Sequence, residues 1–255
     1  MAQRMELIAL PDFPLVEPGD DLAAYILQSL HRADIALVDG DVLVLAQKIF
    51  SKAENRYAYL NQVEVSPEAY GLADKTDKDP RLVQLILDES VEVVRHRPGA
   101  IIVEHRLGYV HANAGIDQSN IESDFSNQRV LLLPEDPDRS VAVLRRELGN
   151  ATGVDIAVIM NDSAGRAWRN GTVGFALGTA GLQPLVDLVG EADLFGRALE
   201  TTTVAVADEL AAAASFLMGQ AAEAVPAVLI RGANLPRADI GSGSLIRERS
   251  QDLFR

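Results

Sequence analysis

One segment near the middle of the chain limits the possible folds more than any other: residues 154–171, VDIAVIMNDSAGRAWRNG. It begins with an unbroken apolar run, which is typical of a strand that is buried on both faces of a sheet. In open α/β sheets, ligands bind in the loop that follows such a strand. We therefore predict that Asp162 and Ser163, which come just after the run, lie in a glycine-bounded turn that forms part of a reaction site.

Strand-like and helix-like segments alternate along the rest of the chain, which indicates a mixed α/β (α+β) fold. Strands are expected over residues 42–45, 100–103, 130–133 and 225–230, and helices from residues 22, 80 and 137 and over residues 204–217. Asp21, Asp79 and Asp136 each precede one of these helices and can accept hydrogen bonds from its free backbone donors. Gly149 is predicted to end the third helix, and the Gly-, Ser- and Pro-rich residues 233–244 are predicted to form a loop.

Composition and charge exclude several classes of function. With 255 residues, of which 48% are hydrophobic, the chain can bury a sizeable core in one large or two small domains. Its formal charge of −14 argues against binding to nucleic acid or to an anionic membrane surface. The sequence has no cysteine, no signal-peptide pattern at its start and no apolar run long enough to span a membrane. We therefore expect a cytoplasmic protein.

The common nucleotide-binding signatures are missing. The sequence has no G-x-x-x-x-G-K-[ST] motif, and its GSGS at residues 241–244 lacks the third glycine of a dinucleotide fingerprint, so the fold is expected to be neither P-loop nor Rossmann. The histidines lack zinc-site spacing, and we interpret each as a surface residue or a polar group with ordinary partners. They are His31, His96, His105 and His111. Trp168 is interpreted as a packing residue.

A second polar cluster occupies residues 112–120, ANAGIDQSN. Gly115 permits close backbone approach, and Asp117, Ser119 and Asn120 place oxygen and amide groups on a tight turn. An Asx-type turn without a binding role is the alternative here, and a helix cap is the alternative for Asp162. The basic motif KIFSK at residues 48–52 also has an alternative interpretation without a binding role, as the solvent-facing end of a strand.

Taken together, several long motifs resemble one known family, the coenzyme F420-0:L-glutamate ligases. The resemblance covers nearly the whole chain. It is carried by LPDF at 10–13, DGDVLVLAQKIFSKAENR at 39–56, HRLGYVHANAGIDQSN at 105–120, NDSAGRAWRNGTVGFALGTAG at 161–181, VAVADELAAAASFLMGQAAEAVPAVLIRG at 204–232 and LIRERSQDLF at 245–254. It implies one ligase-like module over residues 1–255, with two interleaved lobes, and a homodimer. Some members add a nitroreductase-like domain after the ligase part, and we expect none here.

The resemblance also implies an activity, the GTP-dependent addition of L-glutamate to coenzyme F420-0, a phosphodiester-linked deazaflavin. GTP would be the co-substrate, with two divalent ions, Mg or Mn, and a monovalent cation such as K⁺. The implied metal ligands are Asp117, Asp162, Ser163 and Gln220. The implied nucleotide contacts are Leu10, Pro11, Asp12, Phe13, Gln47, Lys52, Asn120, Met218, Gly219, Gln220, Ala221, Ala222, Glu223, Ala224 and Val225. At Ser163 the family usually has threonine, so the hydroxyl is retained.

The chemistry of these residues is consistent with that activity. Carboxylates at Asp117 and Asp162 would repel a triphosphate unless cations lay between them, and hard oxygen donors select Mg or Mn. Lys52 and Arg166 are predicted to neutralise charge on the γ-phosphoryl group during formation of an acyl phosphate. Two alternatives remain open: a metal-dependent nucleotide phosphohydrolase, which would use the same oxygens with water as nucleophile, and a non-catalytic acidic interaction protein.

Overall fold

The computed structural model describes residues 3–121 and 128–253. The strands in these residues are β1 (Glu6–Ala9), β2 (Val42–Ala46), β3 (Tyr57–Tyr59), β4 (Ser90–Arg97), β5 (Ala100–His105), β6 (Val110–Ala112), β7 (Arg129–Leu131), β8 (Ala157–Arg166), β9 (Arg169–Ala180), β10 (Val186–Asp187), β11 (Thr203–Val204) and β12 (Ala227–Arg231). The α-helices are α1 (Leu22–Arg32), α2 (Gln47–Ala53), α3 (Pro67–Thr76), α4 (Pro80–Asp88), α5 (Pro137–Thr152) and α6 (Val206–Met218). This is the expected α+β class. Within the described ranges, no helix combines the length and the apolar character that a membrane crossing requires.

A five-stranded mixed sheet, in the order β1-β12-β2-β8-β9, forms the centre of the molecule. Only β2 and β8 run parallel, and the other neighbours are antiparallel. Successive side chains of a strand point to opposite faces. Accordingly, Leu43 and Leu45 belong to a core with α1 and α5, whereas Val42 and Val44 belong to a core with α6. The sheet is therefore buried on both faces, as its continuous apolar strands predict.

A third hydrophobic core is built from residues between α2 and α5. It joins helices α3 and α4 to the three-stranded sheet β4-β5-β6, through buried residues such as Val83, Ile86, Ile101 and Val103. The chain enters and leaves this third core along β3 and β7, which pair with each other. Residues 122–127, which follow the motif at 105–120, lie outside the described residues.

The predicted helix starts are confirmed at three acidic caps. Side chains of Asp21, Asp79 and Asp136 accept hydrogen bonds from backbone N–H groups two or three residues later. The predicted end of α5 at Gly149 is wrong, because the helix continues to Thr152. A glycine inside a helix costs only about 1 kcal/mol. Gly153, at φ 73°, instead ends the helix and donates its N–H to the Gly149 carbonyl.

Other local predictions are also corrected. Asp162 and Ser163 lie inside β8 and not in a turn, because β9 pairs with β8 as far as Arg166 and satisfies its backbone groups. Residues 47–53 form a short helix, so the strand-end interpretation of the motif at 48–52 is wrong. Trp168 does not pack in a core, because the tight β8–β9 turn leaves its side chain 87% exposed.

Candidate active site

The ends of several segments meet at one edge of the central sheet. Ala46, the last residue of β2, pairs with Asn161 of β8, and Leu45 pairs with Ala227, the first residue of β12. Strand β1 ends at Ala9, beside the start of β12. The pairing therefore brings the segment after β1, the start of α2, the segment before β12 and the middle of β8 to the same edge. All four contain residues that the sequence identified as site candidates.

The loop after β1 is fixed from two sides. Leu10 is fully buried in the core with α1 and α5. The carbonyl of Pro11 accepts a hydrogen bond from the Ser29 hydroxyl, and Nη1 of Arg32 donates to the carbonyl of Asp12 at 2.7 Å. This part of the implied nucleotide-contacting loop is therefore held rigidly by α1.

Phe13 completes that loop with an aromatic contact. Its ring meets Tyr25 of α1 edge-on, with centroids 6.2 Å apart. Helix α1 therefore fixes residues 11, 12 and 13 individually, and all four residues of the LPDF motif have a packing or hydrogen-bonding partner.

Helix α2 connects the site to the loop around residue 120. Gln47 is buried, and its Oε1 accepts a hydrogen bond from Ser51. Lys52 Nζ donates to the carbonyl of Asn120 at 3.0 Å, and Asn120 Nδ2 donates to the carbonyl of Ala221 at 3.1 Å. Burial lowers the pKa of Lys52 from its ordinary value. Three segments that are distant in sequence are thus joined through one lysine and one asparagine.

The segment after α6 makes a sharp turn beside that asparagine. Gly219 has φ 73°, a backbone conformation that favours glycine, and a Cβ there would have to displace the flexible side chain of Glu223. Glu223 accepts a hydrogen bond from the backbone N–H of Ala221 at 2.8 Å. Gln220 Nε2 donates to Ser215 Oγ at 3.1 Å, and its amide oxygen accepts no hydrogen bond from another described residue, so it can face a cation.

The remaining residues of this segment follow the same turn. Met218 is buried at the end of α6, and its sulfur lies 3.7 Å from Asn161 Nδ2. Ala222, Ala224 and Val225 complete the turn back to β12, with Ala224 at φ 56°.

Asp162 lies on β8, at the point where β8 contacts β6 of the three-stranded sheet. Its Oδ1 accepts a hydrogen bond from the N–H of Ser163, and its Oδ2 lies 3.4 Å from Nε2 of His111 on β6. The side chains of His111 and Asp162 are only 9% and 15% exposed. Burial would lower the pKa of His111, but the Asp162 carboxylate more than offsets this effect and raises it.

Sequence reasoning did not identify His111 as part of the site. It is 51 residues before Asp162, on a strand of another sheet, and no local motif links the two. The contact between β6 and β8 brings them together.

Asp117 has a different partner. Its Oδ2 lies 2.8 Å from Lys48 Nζ, and its Oδ1 accepts hydrogen bonds from the N–H and hydroxyl of Ser119. This is the Asx-type turn that was the alternative interpretation of the segment. Over residues 3–121 and 128–253, no three His, Cys, Asp or Glu side chains surround a common ion position. The two-ion site therefore stays a prediction.

The chemistry of the donors nevertheless fits a hard divalent cation. The Asp162 carboxylate, the Ser163 hydroxyl and the Gln220 amide supply oxygens, which Mg and Mn prefer. In addition, the buried Nε2 of His111 has no hydrogen-bond partner in the described part of the chain, although it faces a carboxylate. A buried polar atom without a partner is rare, so a positive group between these two side chains would resolve an otherwise unfavourable contact.

Arg166 is not brought to this edge. It lies four residues beyond Asp162 at the end of β8, roughly 13 Å of strand away. Its side chain is exposed, and Nη2 donates to the carbonyl of Asn170 at 3.1 Å. A role for Arg166 on a γ-phosphoryl group would require the β8–β9 hairpin to approach the site.

Aromatic rings pack beneath the His111–Asp162 pair. Tyr109 stacks on the buried His105 with centroids 5.0 Å apart, and it meets His111 and Phe175 edge-on. Nε2 of His105 lies 3.5 Å from Glu89, which also binds Arg56 and Arg106. Burial alone would raise the pKa of Glu89, but the histidine and the two arginines lower it below its ordinary value. These groups anchor β6 behind the site.

Comparison with known proteins identifies the family of the chain. The family model described as F420-0:Gamma-glutamyl ligase matches residues 12–232. A protein named Coenzyme F420:L-glutamate ligase from Methanothermobacter thermautotrophicus is 49% identical over 254 residues, which cover 98% of this chain and 99% of the relative. Proteins of the same name from Methanopyrus kandleri and Methanocaldococcus jannaschii are 46% and 42% identical, over 94% and 99% of this chain and 93% and 98% of the relatives. The chain therefore belongs to the F420-0:gamma-glutamyl ligase family.

Proposed function

We propose that this protein is a GTP-dependent ligase that adds L-glutamate, as a γ-linked tail, to coenzyme F420-0. Family membership and the printed names of the relatives support the ligase activity and the pathway. The main structural support for a nucleotide site is that four segments meet at one sheet edge: residues 10–13, α2, residues 218–225 and Asp162. A nucleotide bound there would contact backbone from two fixed loops and the ammonium of Lys52.

The reaction requires an activated carboxylate, because hydroxide is too poor a leaving group for direct amide formation at neutral pH. We infer that the carboxylate of F420-0 attacks the γ-phosphorus of GTP in line, which breaks the bond to the β-phosphate oxygen and yields GDP and an acyl phosphate. The α-amine of glutamate then attacks the acyl carbon, loses a proton and displaces inorganic phosphate. Repetition on the γ-carboxylate of the added residue would give a γ-linked tail.

The residues of the chain act by position and charge, and none is assigned as a nucleophile. Lys52 has one donor directed at the Asn120 carbonyl, and no hydrogen bond to another described residue uses its other two N–H groups, which could therefore bind phosphate oxygens. Divalent ions, when bound at Asp162, Ser163 and Gln220, would neutralise charge on the triphosphate. The Asp117–Lys48 pair would have to open before Asp117 could join them. The homodimer, the monovalent cation and the cytoplasmic location stay predictions.

Turnover with the proposed substrates tests this function. Protein incubated with F420-0, L-glutamate, GTP and Mn²⁺ should yield product heavier by one or more glutamyl residues, with one GDP and one phosphate per addition. Asp162→Asn should abolish the addition. Asp74→Asn, a matched change on the exposed face of α3, should leave it unaltered. Full activity of Asp162→Asn would refute the assigned role of Asp162.

Two other outcomes would replace the proposal. GTP cleavage at the same rate without glutamate and F420-0 would indicate a nucleotide phosphohydrolase. If GTP with Mn²⁺ gave no rise in the melting temperature, the protein would not bind them, because a ligand stabilises only the folded state that it binds. That result would indicate a non-catalytic interaction protein.

A further inference from the structure

The side chain of His111 is held in one orientation at the candidate site. It projects from β6 towards β8, where its ring lies against Phe175 with centroids 5.7 Å apart and against Tyr109 with centroids 6.5 Å apart. Only 9% of the side chain is exposed. Packing thus directs one ring nitrogen at Asp162.

The other ring nitrogen determines the tautomer. Nδ1 of His111 lies 2.9 Å from the carbonyl oxygen of Ala112, and a carbonyl can only accept a hydrogen bond. Nδ1 therefore carries the hydrogen, and Nε2 of the neutral ring presents its lone pair towards Asp162. Histidines that bind metals are typically fixed in this way, with the distal nitrogen donating to a backbone carbonyl or a carboxylate.

A lone pair that faces a carboxylate needs a positive group between the two atoms, either a proton on Nε2 or a cation. The separation of 3.4 Å is longer than the distance of about 2.7–2.9 Å expected for a charge-assisted N–H···O bond. Two donors that share one ion, with bonds of about 2.1 Å, lie roughly 3 Å apart at a right angle and farther apart at wider angles. The observed spacing fits the second arrangement. The tautomer separates this pair from His105 and Glu89, because Nδ1 of His105 accepts the N–H of Leu107 and its Nε2 therefore carries the hydrogen that faces Glu89.

We propose that Nε2 of His111 is a ligand of the same divalent cation that Asp162 binds. This inference rests on the proposed function, because it adds a nitrogen donor to the oxygen donors already assigned there. Imidazole is a poor ligand for Mg²⁺ and a suitable one for transition metals. Although both ions prefer oxygen donors, the nitrogen donor of His111 should disfavour Mg²⁺ more than it disfavours Mn²⁺.

Pulsed electron paramagnetic resonance of bound Mn²⁺ tests the proposal without any turnover. The full-length protein is prepared with ¹⁵N-labelled histidine and loaded with Mn²⁺ and GDP. We expect a ¹⁵N hyperfine coupling typical of a directly bound imidazole nitrogen, and we expect His111→Phe to lose it. His105→Phe removes an equally buried histidine that faces Glu89, and it should keep the coupling. Circular dichroism verifies that each variant is folded.

Metal affinity provides the second measurement. Removal of groups that only support a ligand usually costs about 10–100-fold in metal affinity, so loss of a ligand should weaken Mn²⁺ binding at least tenfold. Mg²⁺ affinity should change less, which would reduce the preference for Mn²⁺. Absence of any histidine coupling in the wild-type protein would overturn the inference, as would a coupling that persists in His111→Phe. In either case, Mn²⁺ binding that is lost in Asp162→Asn would leave the proposed function intact. If wild-type protein with GDP bound no Mn²⁺, the proposed function would fail as well.

Discussion

Substitution of Gly174 gives a quantitative test of the packing between β9 and α6. Gly174 pairs with Ser163 across the β8–β9 ladder and faces helix α6. A Cβ at this position would lie 2.6 Å from the carbonyl oxygen of Ala211 and 2.6 Å from Cβ of Ser215, and it would also collide with Oδ1 of Asn161. The Ala211 oxygen and the Ser215 Cβ belong to helix α6, and the Ala211 oxygen is a backbone atom. Alanine can fit only if α6 moves away from the sheet.

The expected cost follows from this crowding. Insertion of one extra carbon into a well-packed core typically destabilises a protein by about 1–3 kcal/mol. For a chain of this size, that corresponds to a fall in melting temperature of roughly 2 to 12 °C. Gly165 provides the matched control in the same hairpin, because no heavy atom of the described residues lies within 4 Å of a Cβ built there. Gly165→Ala should therefore be neutral or stabilising by up to about 1 kcal/mol.

Urea unfolding followed by far-ultraviolet circular dichroism measures both variants. Fluorescence is unsuitable, because the single tryptophan, Trp168, is already 87% exposed in the folded protein. The free energy of unfolding should fall for Gly174→Ala and stay level or rise for Gly165→Ala. Equal stabilities of the two variants would refute the close contact between β9 and α6.

Three further predictions concern charged groups. Asp41→Ala should lower the free energy of unfolding, measured with urea, by about 3 kcal/mol. This value is near the lower end for a broken buried ion pair, because Asp41 is 1% exposed but its partner Arg231 is 34% exposed. Because the folded-state pKa of Glu89 is lowered, its carboxylate stabilises the protein above the ordinary glutamate range, and this contribution is lost as the pH falls through the folded pKa. In Glu89→Gln, the free energy of unfolding should therefore decrease less between pH 7 and pH 3 than it does in the wild-type protein. An equal decrease in both proteins would contradict the lowered pKa of Glu89. Lys52→Ala should reduce glutamate addition far more than Arg166→Ala does, and the reverse order in kcat would show that the β8–β9 hairpin closes over the site.

Local structure was predictable where its cause is local. Asp21, Asp79 and Asp136 cap their helices through contacts with residues only two or three positions away. The extent of β8 was not predictable, because its polar second half is held in the sheet by β9 and not by its own apolar pattern. Helix α2 was missed because seven residues are too few for a helical period to be distinguished from a strand.

The site was predictable only as far as the family resemblance reached. The apolar strand pattern indicated Asp162 and the family resemblance indicated the loop residues, but neither could show that they share a sheet edge. The contact of Asp162 with His111 depends on how β6 meets β8, which is a property of the whole fold. Likewise, the ion pair between Asp117 and Lys48 joins two segments that are 69 residues apart.

A crystal structure of the protein with GDP and Mn²⁺, measured at a wavelength where manganese scatters anomalously, tests the central claim most directly. We expect an anomalous peak bonded to the Asp162 carboxylate and to a phosphate oxygen of GDP, at the edge where β2 ends and α2 begins. A manganese ion coordinated by GDP at another surface, with Asp162 still facing only His111, would contradict the claim.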